Sequence, residues 1–291
     1  MSGIDRPVFI VGSGRSGTTV LYNLLSTHPQ LCWFSNLSDR FPRLPCVPLA
    51  HRLLDVPGIG ARMRRNIIAS HRGFPNIRPV EAERIYHDHC GFIERRESTL
   101  ADRDPHTEAR FRAQINKHLR TTGRPRFLTK QTANNQRLAL MMALFPDARV
   151  VHIVRDGRAV ASSLYHVRWW RDIAIWWYGG KKAADWEAEG REPIELCARQ
   201  WLHDTAACQA QATVLGDRYL EIRYEDLVSH VPATLQAILA HCDLAEDSAY
   251  LQSLPLRLDE RNDAWKSRLN DRQQHCLREV LSPMLSELGY Q

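Results

Sequence analysis

Val8-Phe9-Ile10-Val11-Gly12-Ser13-Gly14-Arg15-Ser16-Gly17-Thr18-Thr19 carries the reading of the whole chain. Four apolar residues form a short buried-strand signal, a glycine-rich turn follows, and Val20 to Leu25 open an apolar helix. Strand, loop and helix in that order aim several backbone N–H groups and the positive end of a helix at one point, which suits a phosphate. The spacing Gly12-x-x-x-x-Gly17 is that of a P-loop, but an NTPase would place Lys next, and here Thr18 and Thr19 follow. The absent Lys serves the β- and γ-phosphates of a triphosphate together with Mg²⁺. Without it the loop suits a ligand with a single 5′-phosphate group. Arg15 supplies the cation, through a fork of donors that cannot lose its charge.

Outward from this loop the chain alternates strand and helix. Gln30 to Ser35 reads as a second short strand, and Arg126 to Lys130 as a strand that ends in a cation. Gln136 to Leu144 has helical spacing and stops before Pro146. Arg149 to Val154 is a buried parallel strand by its β-branched run. Residues 155–158 turn the chain into a helix over 159–165. Tyr219 to Tyr224 is another strand, and Pro232 to His241 another helix. The alternation predicts an α/β fold: a P-loop-type, doubly wound parallel sheet with helices on both faces and ligands at the carboxyl ends of the strands. Over residues 36–125 the pattern loosens. Pro42, Pro45, Pro48 and Pro57 break it up, and a helix over Thr107 to Leu119 follows. This region is expected to be a helical and loop insertion covering the ligand edge of one domain that spans residues 1–291.

Composition narrows the classes. With 291 residues, 44% hydrophobic and 25% charged, the chain can bury a core that needs neither disulfide nor metal staples. The net charge of +6 fits an anionic ligand, and a solvated basic surface explains it equally well. The basic residues do not gather with aromatics into a nucleic-acid module. Seven scattered cysteines without a Cys-x-x-Cys pair suit free thiols in a reducing cytosol, so a cytoplasmic location is expected. No apolar run approaches the roughly 18 residues of a membrane span. His87-Asp88-His89-Cys90 would offer metal ligands on one face only as a strand, and no second cluster has metal spacing, so no metal is expected.

Two segments with phosphate chemistry carry a family resemblance. Gly14-Arg15-Ser16-Gly17-Thr18-Thr19 after a strand resembles the 5′-phosphosulfate loop of sulfotransferases that use 3′-phosphoadenylyl sulfate (PAPS). The branch it resembles includes the tyrosylprotein sulfotransferases and their bacterial relatives. Arg155-Asp156-Gly157-Arg158-Ala159-Val160-Ala161-Ser162-Ser163 is similar to that family's 3′-phosphate segment, with Arg155 and Ser163 as the matching residues. Where the family often has a further Arg, this chain has Val167, with Arg168 beside it. Tyr224-Glu225-Asp226-Leu227 resembles a stretch whose Tyr helps hold the nucleotide, although Glu225 and Asp226 also suit helix capping. Ser282 to Tyr290 resembles the family's C-terminal helix, ending at a glycine stop.

The resemblance implies in-line sulfuryl transfer from PAPS, without a metal, to a hydroxyl or amine of a small-molecule, lipid or glycan acceptor. Lys130 matches the family's Lys at the bridging oxygen, and Arg15 would share the developing charge. The general base is not at its place in the tyrosylprotein branch, where a Glu after strand two becomes Asn36 here. Asp39 and Glu81 are the first candidates, ahead of Glu83, His87 and His89, and an acceptor that needs little help is the other option. The run Trp169 to Tyr178 is expected to be a helix. Trp169, Ile173 and Trp176 would share its face, first as core, then as the wall of an apolar or aromatic acceptor pocket, and last as a stripe touching a membrane-bound acceptor. A P-loop kinase and a nucleotide-binding member without turnover are the alternative readings.

Overall fold

The computed structural model describes residues 3–74, 76–92 and 97–290. Its centre is a sheet of β1 (Val8–Val11), β2 (Leu31–Cys32), β3 (Arg126–Lys130), β4 (Arg149–Val154) and β5 (Tyr219–Arg223), in the order β2-β3-β1-β4-β5. Every pairing is parallel, and Val8 of β1 meets Leu128 on one side and Arg149 on the other. The first crossovers run to one side of β1 and the later ones to the other. That reversal opens a crevice beyond the carboxyl ends of the central strands.

All four residues of β1 are buried, because helices cover both faces. On one face α1 (Thr18–Ser26), the short α2 (Asn36–Arg40) and α3 (Ile59–Ile68) bring Leu21, Leu37, Met63 and Ile67 onto a cluster with Val8 and Ile10. On the other, α4 (Pro105–Thr122), α5 (Leu138–Leu144) and a π turn at Ile85–Cys90 set Phe111, Ile115, Met141 and Tyr86 on Phe9 and Val11. Each such large side chain contributes about 1.5–3 kcal/mol by leaving water. A third cluster lies past the end of β4. There α6 (Gly157–Tyr165), α7 (Ala183–Ala188), α8 (Pro193–Gln209) and the helix Asp271–Glu287 gather Val160, Trp186, Trp201 and Leu277. Gly157 lets α6 approach α8: a Cβ there would stand 2.7 Å from the Trp201 ring.

Two expectations need correction. The second strand keeps only Leu31–Cys32, because Ser35 caps α2, its Oγ accepting from the Ser38 N–H at 3.0 Å. The tryptophan run is not one helix. Two short 3-10 stretches, Arg168–Asp172 and Trp176–Tyr178, are separated by extended residues and closed by the left-handed Gly179 and Gly180. Indole hydrogen bonds to α8 hold it there instead: Trp176 Nε1 donates to Asp204 Oδ1 at 3.2 Å and Trp177 Nε1 to Gln200 Oε1 at 2.8 Å. The apolar side chains of residues 36–125 join the clusters on both faces of the sheet.

Candidate active site

The loop after β1 is held open by its neighbours. Gly12 has φ +139°, and a Cβ there would lie 2.5 Å from the Ile153 carbonyl oxygen. Its N–H donates to Asn135 Oδ1 and its carbonyl accepts from Asn135 Nδ2, both at 3.0 Å, so one amide brackets the start of the loop. Gly17 has φ +93°, and a Cβ would stand 2.4 Å from the Tyr224 ring. Arg15 is left-handed at φ 74° without being glycine, a conformation that costs about 1–2 kcal/mol. Two contacts hold it: Arg155 Nη1 donates to the Arg15 carbonyl, and Arg15 Nε donates to Ser163 Oγ, each at 3.0 Å. Ser16 Oγ is buried with no partner among the described residues. Such an orphaned hydroxyl in an anion loop fits a ligand's oxygen.

Arg155 lies beneath the loop, its guanidinium 4.2 Å from the Tyr224 ring centroid. Nε donates to Asn262 Oδ1 at 2.7 Å and Nη2 to the Arg261 carbonyl at 2.9 Å. Counting the bond to Arg15, three of its five N–H donors are engaged among the described residues, which leaves one on each terminal nitrogen. Glu225 braces this layer rather than capping a helix: it accepts from the Asp156 N–H at 3.3 Å, from Tyr290 Oη at 2.9 Å and from the Asn262 amide. Arg158 pairs with Asp156 at 2.8 Å, the local role of a charge at a helix start. Thus Arg15 of the loop meets Arg155 and Ser163, from the one segment after β4, and Arg155 meets Tyr224, which follows β5.

In front of the loop is a cavity of about 440 Å³. Gly14, Arg15, Thr18 and Thr19 line one end, with Lys130, Thr132, Glu81 and His87 beside them. Lys130, buried at the end of β3, donates to Thr19 Oγ1 at 3.2 Å and is ion-paired with Glu81. Glu81 also accepts from the Thr132 hydroxyl at 3.0 Å and its N–H at 3.3 Å. Burial would raise the Glu81 pKa, but attraction to Lys130 and the hydrogen bonds from Lys130 and Thr132 outweigh it and hold it below the usual range. Glu81 is therefore an anion at neutral pH.

The other candidates are placed elsewhere. Asp39 is not among the cavity's lining residues. It accepts the Ile85 N–H at 3.0 Å, and burial raises its pKa. Asn36 staples the chain, its side chain bonding Asn76 and Arg78 at 3.0 Å each. His87 donates Nδ1–H to the Phe92 carbonyl at 2.8 Å and faces the cavity, whereas His89 turns away to Gln114 and a different groove. Among the described residues no group of three or more His, Cys, Asp or Glu is placed to hold a metal.

The far end of the cavity is apolar. Leu164, Trp169, Trp170, Ile173, Ala174 and Trp176 line it, with Gln200 and Asp204 from α8 at its base. Trp169 is 54% exposed at the rim, while Trp170 is buried in the third cluster. Burial pushes the Asp204 carboxyl up to about 6, against the hydrogen bond from Trp176 and the nearby polar groups of Gln200, Ser13 and Asn135. Asp204 thus touches the loop side and the aromatic side at once. Sequence reading misses Asp204, Asn135 and Thr132, because an isolated polar residue has no signature until its distant partners arrive.

A family model described as the sulfotransferase family matches residues 7–248. Among known proteins, the chain is similar to the omega-hydroxy-beta-dihydromenaquinone-9 sulfotransferase Stf3 of Mycobacterium tuberculosis. The two are 23% identical over 281 residues, covering 89% of this chain and 68% of that one. It is also similar to a protein-tyrosine sulfotransferase of Drosophila melanogaster, 24% identical over 188 residues, 57% of this chain and 35% of that one. Sulfotransferase STF9 from Mycobacterium avium has a TM-score of 0.60 to it over 100% of this chain and 78% of that one, at 15% identity, a likeness of fold alone.

Proposed function

This chain belongs to the sulfotransferase family, and we propose that it moves a sulfuryl group from PAPS to a hydroxyl group of an apolar, lipid-like alcohol or phenol. The observation that carries the proposal is the meeting of Lys130, Thr19 and Glu81 at the mouth of the phosphate loop, in one cavity with an aromatic far wall. PAPS supplies the sulfuryl group. Arg15, Ser16, Gly17, Thr18 and Thr19 would hold its 5′-phosphate. Arg155 and Ser163, with Tyr224 behind them, would hold the 3′-phosphate.

Each residue then has a charge to manage. The acceptor oxygen forms the new S–O bond as its proton passes to the Glu81 carboxylate. The S–O bond to the 5′-phosphate breaks, and adenosine 3′,5′-bisphosphate leaves with the electron pair. Negative charge grows on the bridging oxygen, where Lys130 and the loop donors are aimed. Lys130 is shared: it holds Glu81 ionised before the donor enters and turns to the bridging oxygen as charge builds. Glu81, held ionised until then by that pairing, is thereby freed to take the proton. The apolar wall supports an acceptor of low polarity, in keeping with the dihydromenaquinone derivative in the name of the mycobacterial relative.

The test is transfer from radiolabelled PAPS to a panel of prenyl alcohols and hydroquinones. Glu81→Gln is expected to lower kcat by about a hundredfold or more while the donor Kd stays within about threefold. Lys130→Met is expected to lower kcat by about 10²–10³. Unchanged kcat in Glu81→Gln would remove Glu81 from the role of base. No transfer by the wild type to any acceptor, with tight bisphosphate binding, would favour a member of the family that binds without turnover.

A further inference from the structure

The basic segment of residues 40–74 lines no part of the cavity described above. The segment holds seven arginines against one carboxylate, Asp55. It also holds six of the eleven large hydrophobic side chains exposed among the described residues: Phe41, Leu44, Leu49, Val56, Ile59 and Phe74. Exposed apolar side chains scattered singly need no explanation; their concentration in one arginine-rich segment does.

The best-defined part is a groove of about 380 Å³ lined by Arg40, Phe41, Arg43, Leu44, Arg84 and His89. Phe41 is 43% and Leu44 49% exposed. The loop is fixed from behind, since Lys117 Nζ and Gln114 Nε2 both donate to the Pro42 carbonyl, at 2.6 and 3.1 Å. Among the described residues Asp88 is the only carboxylate lining the groove, and no carboxylate is ion-paired with Arg40, Arg43 or Arg84. The field there is positive: after burial, Lys117, Arg43 and Arg110 are what press the His89 imidazole toward its neutral form. The groove also backs onto the reaction cavity. Along 81–89, Glu81, Glu83 and His87 line the cavity while Arg84, Asp88 and His89 line the groove.

We propose that this groove docks the protein on an anionic lipid bilayer. Unpaired guanidinium groups would meet lipid phosphates, while Phe41 and Leu44 enter the boundary between headgroups and acyl chains. A nucleic acid would satisfy the charge but leave the exposed aliphatic side chains against water or phosphate, so the mixture favours lipid. Docking here sets the cavity's Glu81–His87 wall beside the bilayer. The proposal concerns binding alone and stands whether or not sulfuryl transfer is the reaction.

Sedimentation of the intact chain with vesicles tests it. Vesicles of phosphatidylcholine with about one third phosphatidylglycerol should bind about tenfold or more tightly than pure phosphatidylcholine, with the difference lost in high salt. Arg40→Glu with Arg43→Glu should abolish that preference, and Phe41→Ser with Leu44→Ser should weaken binding to the same vesicles by about threefold or more. Calorimetric binding of adenosine 3′,5′-bisphosphate, or thermal melting, checks that each variant is folded. Equal binding to neutral and anionic vesicles, or vesicle binding unmoved by either double variant, would overturn the proposal. So would a solution mass that falls from dimer to monomer in Phe41→Ser/Leu44→Ser, which makes the face a self-contact. Tight binding of single-stranded RNA with no vesicle binding would also overturn it.

Discussion

The two ends of the reaction cavity are built differently. The phosphate end is one run of eight residues, Gly12 to Thr19, whose chemistry lies largely in backbone N–H groups and whose shape is set by two left-handed glycines. The acceptor end is assembled from side chains of residues 81–87, 130–136, 164–176 and 200–204, which meet only after folding. A backbone site tolerates little change, because each Cβ and each φ is committed. A side-chain site can exchange its lining one residue at a time.

Substitutions at the two ends should therefore fail differently. Gly17→Ala brings a Cβ against the Tyr224 ring at a φ that L side chains rarely adopt, and is expected to cost about 3 kcal/mol of stability along with most bisphosphate affinity. Chemical denaturation with calorimetry reads both, and a fully stable, tight-binding Gly17→Ala protein would break the contrast.

Asp204, where the two ends touch, gives the next largest effect. Its folded pKa of about 6 lies above the ordinary 3.8, so the folded state binds the extra proton between those values. Its stability contribution is full below about pH 4 and is lost as pH rises through about 6. Charging it in the folded protein at neutral pH costs about 2–3 kcal/mol. Asp204→Asn should thus be more stable than wild type at pH 7.5 and lose that advantage at pH 4.5, as melting curves at the two values would report. A gain independent of pH would show that the carboxyl does not titrate there.

The smallest effect is expected at the wall. Trp176→Phe removes the indole N–H bonded to Asp204 and should raise the acceptor KM about three- to tenfold, leaving the donor Kd unchanged. A change in donor Kd of the same size would mean that the wall also shapes the phosphate end.

The same division governs what was legible in the sequence. Strand β3 at Arg126–Lys130, β4 at Arg149–Val154 and the loop between β1 and α1 were readable because their signals are local: apolar runs, glycine spacing and a terminal cation. The sulfotransferase family was readable from the two phosphate segments for the same reason. The tryptophan run was misjudged because its period suggested a helix, while hydrogen bonds to Asp204 and Gln200, some 25 residues away, dictate two short turns. Asp39 and Glu81 could not be ranked, since both are carboxylates in an irregular region. Only tertiary placement gives Ile85 to one and Lys130 to the other. Asn135 and Asp204 carried no signal at all.

The most direct test of the central claim is calorimetric binding of adenosine 3′,5′-bisphosphate, ADP and ATP, with and without Mg²⁺, to wild type and Arg155→Ala. The account predicts that wild type prefers the 3′-phosphorylated nucleotide by about tenfold or more without Mg²⁺, and that the preference disappears in Arg155→Ala. Mg²⁺-dependent preference for ATP would contradict it and return the loop to the kinases.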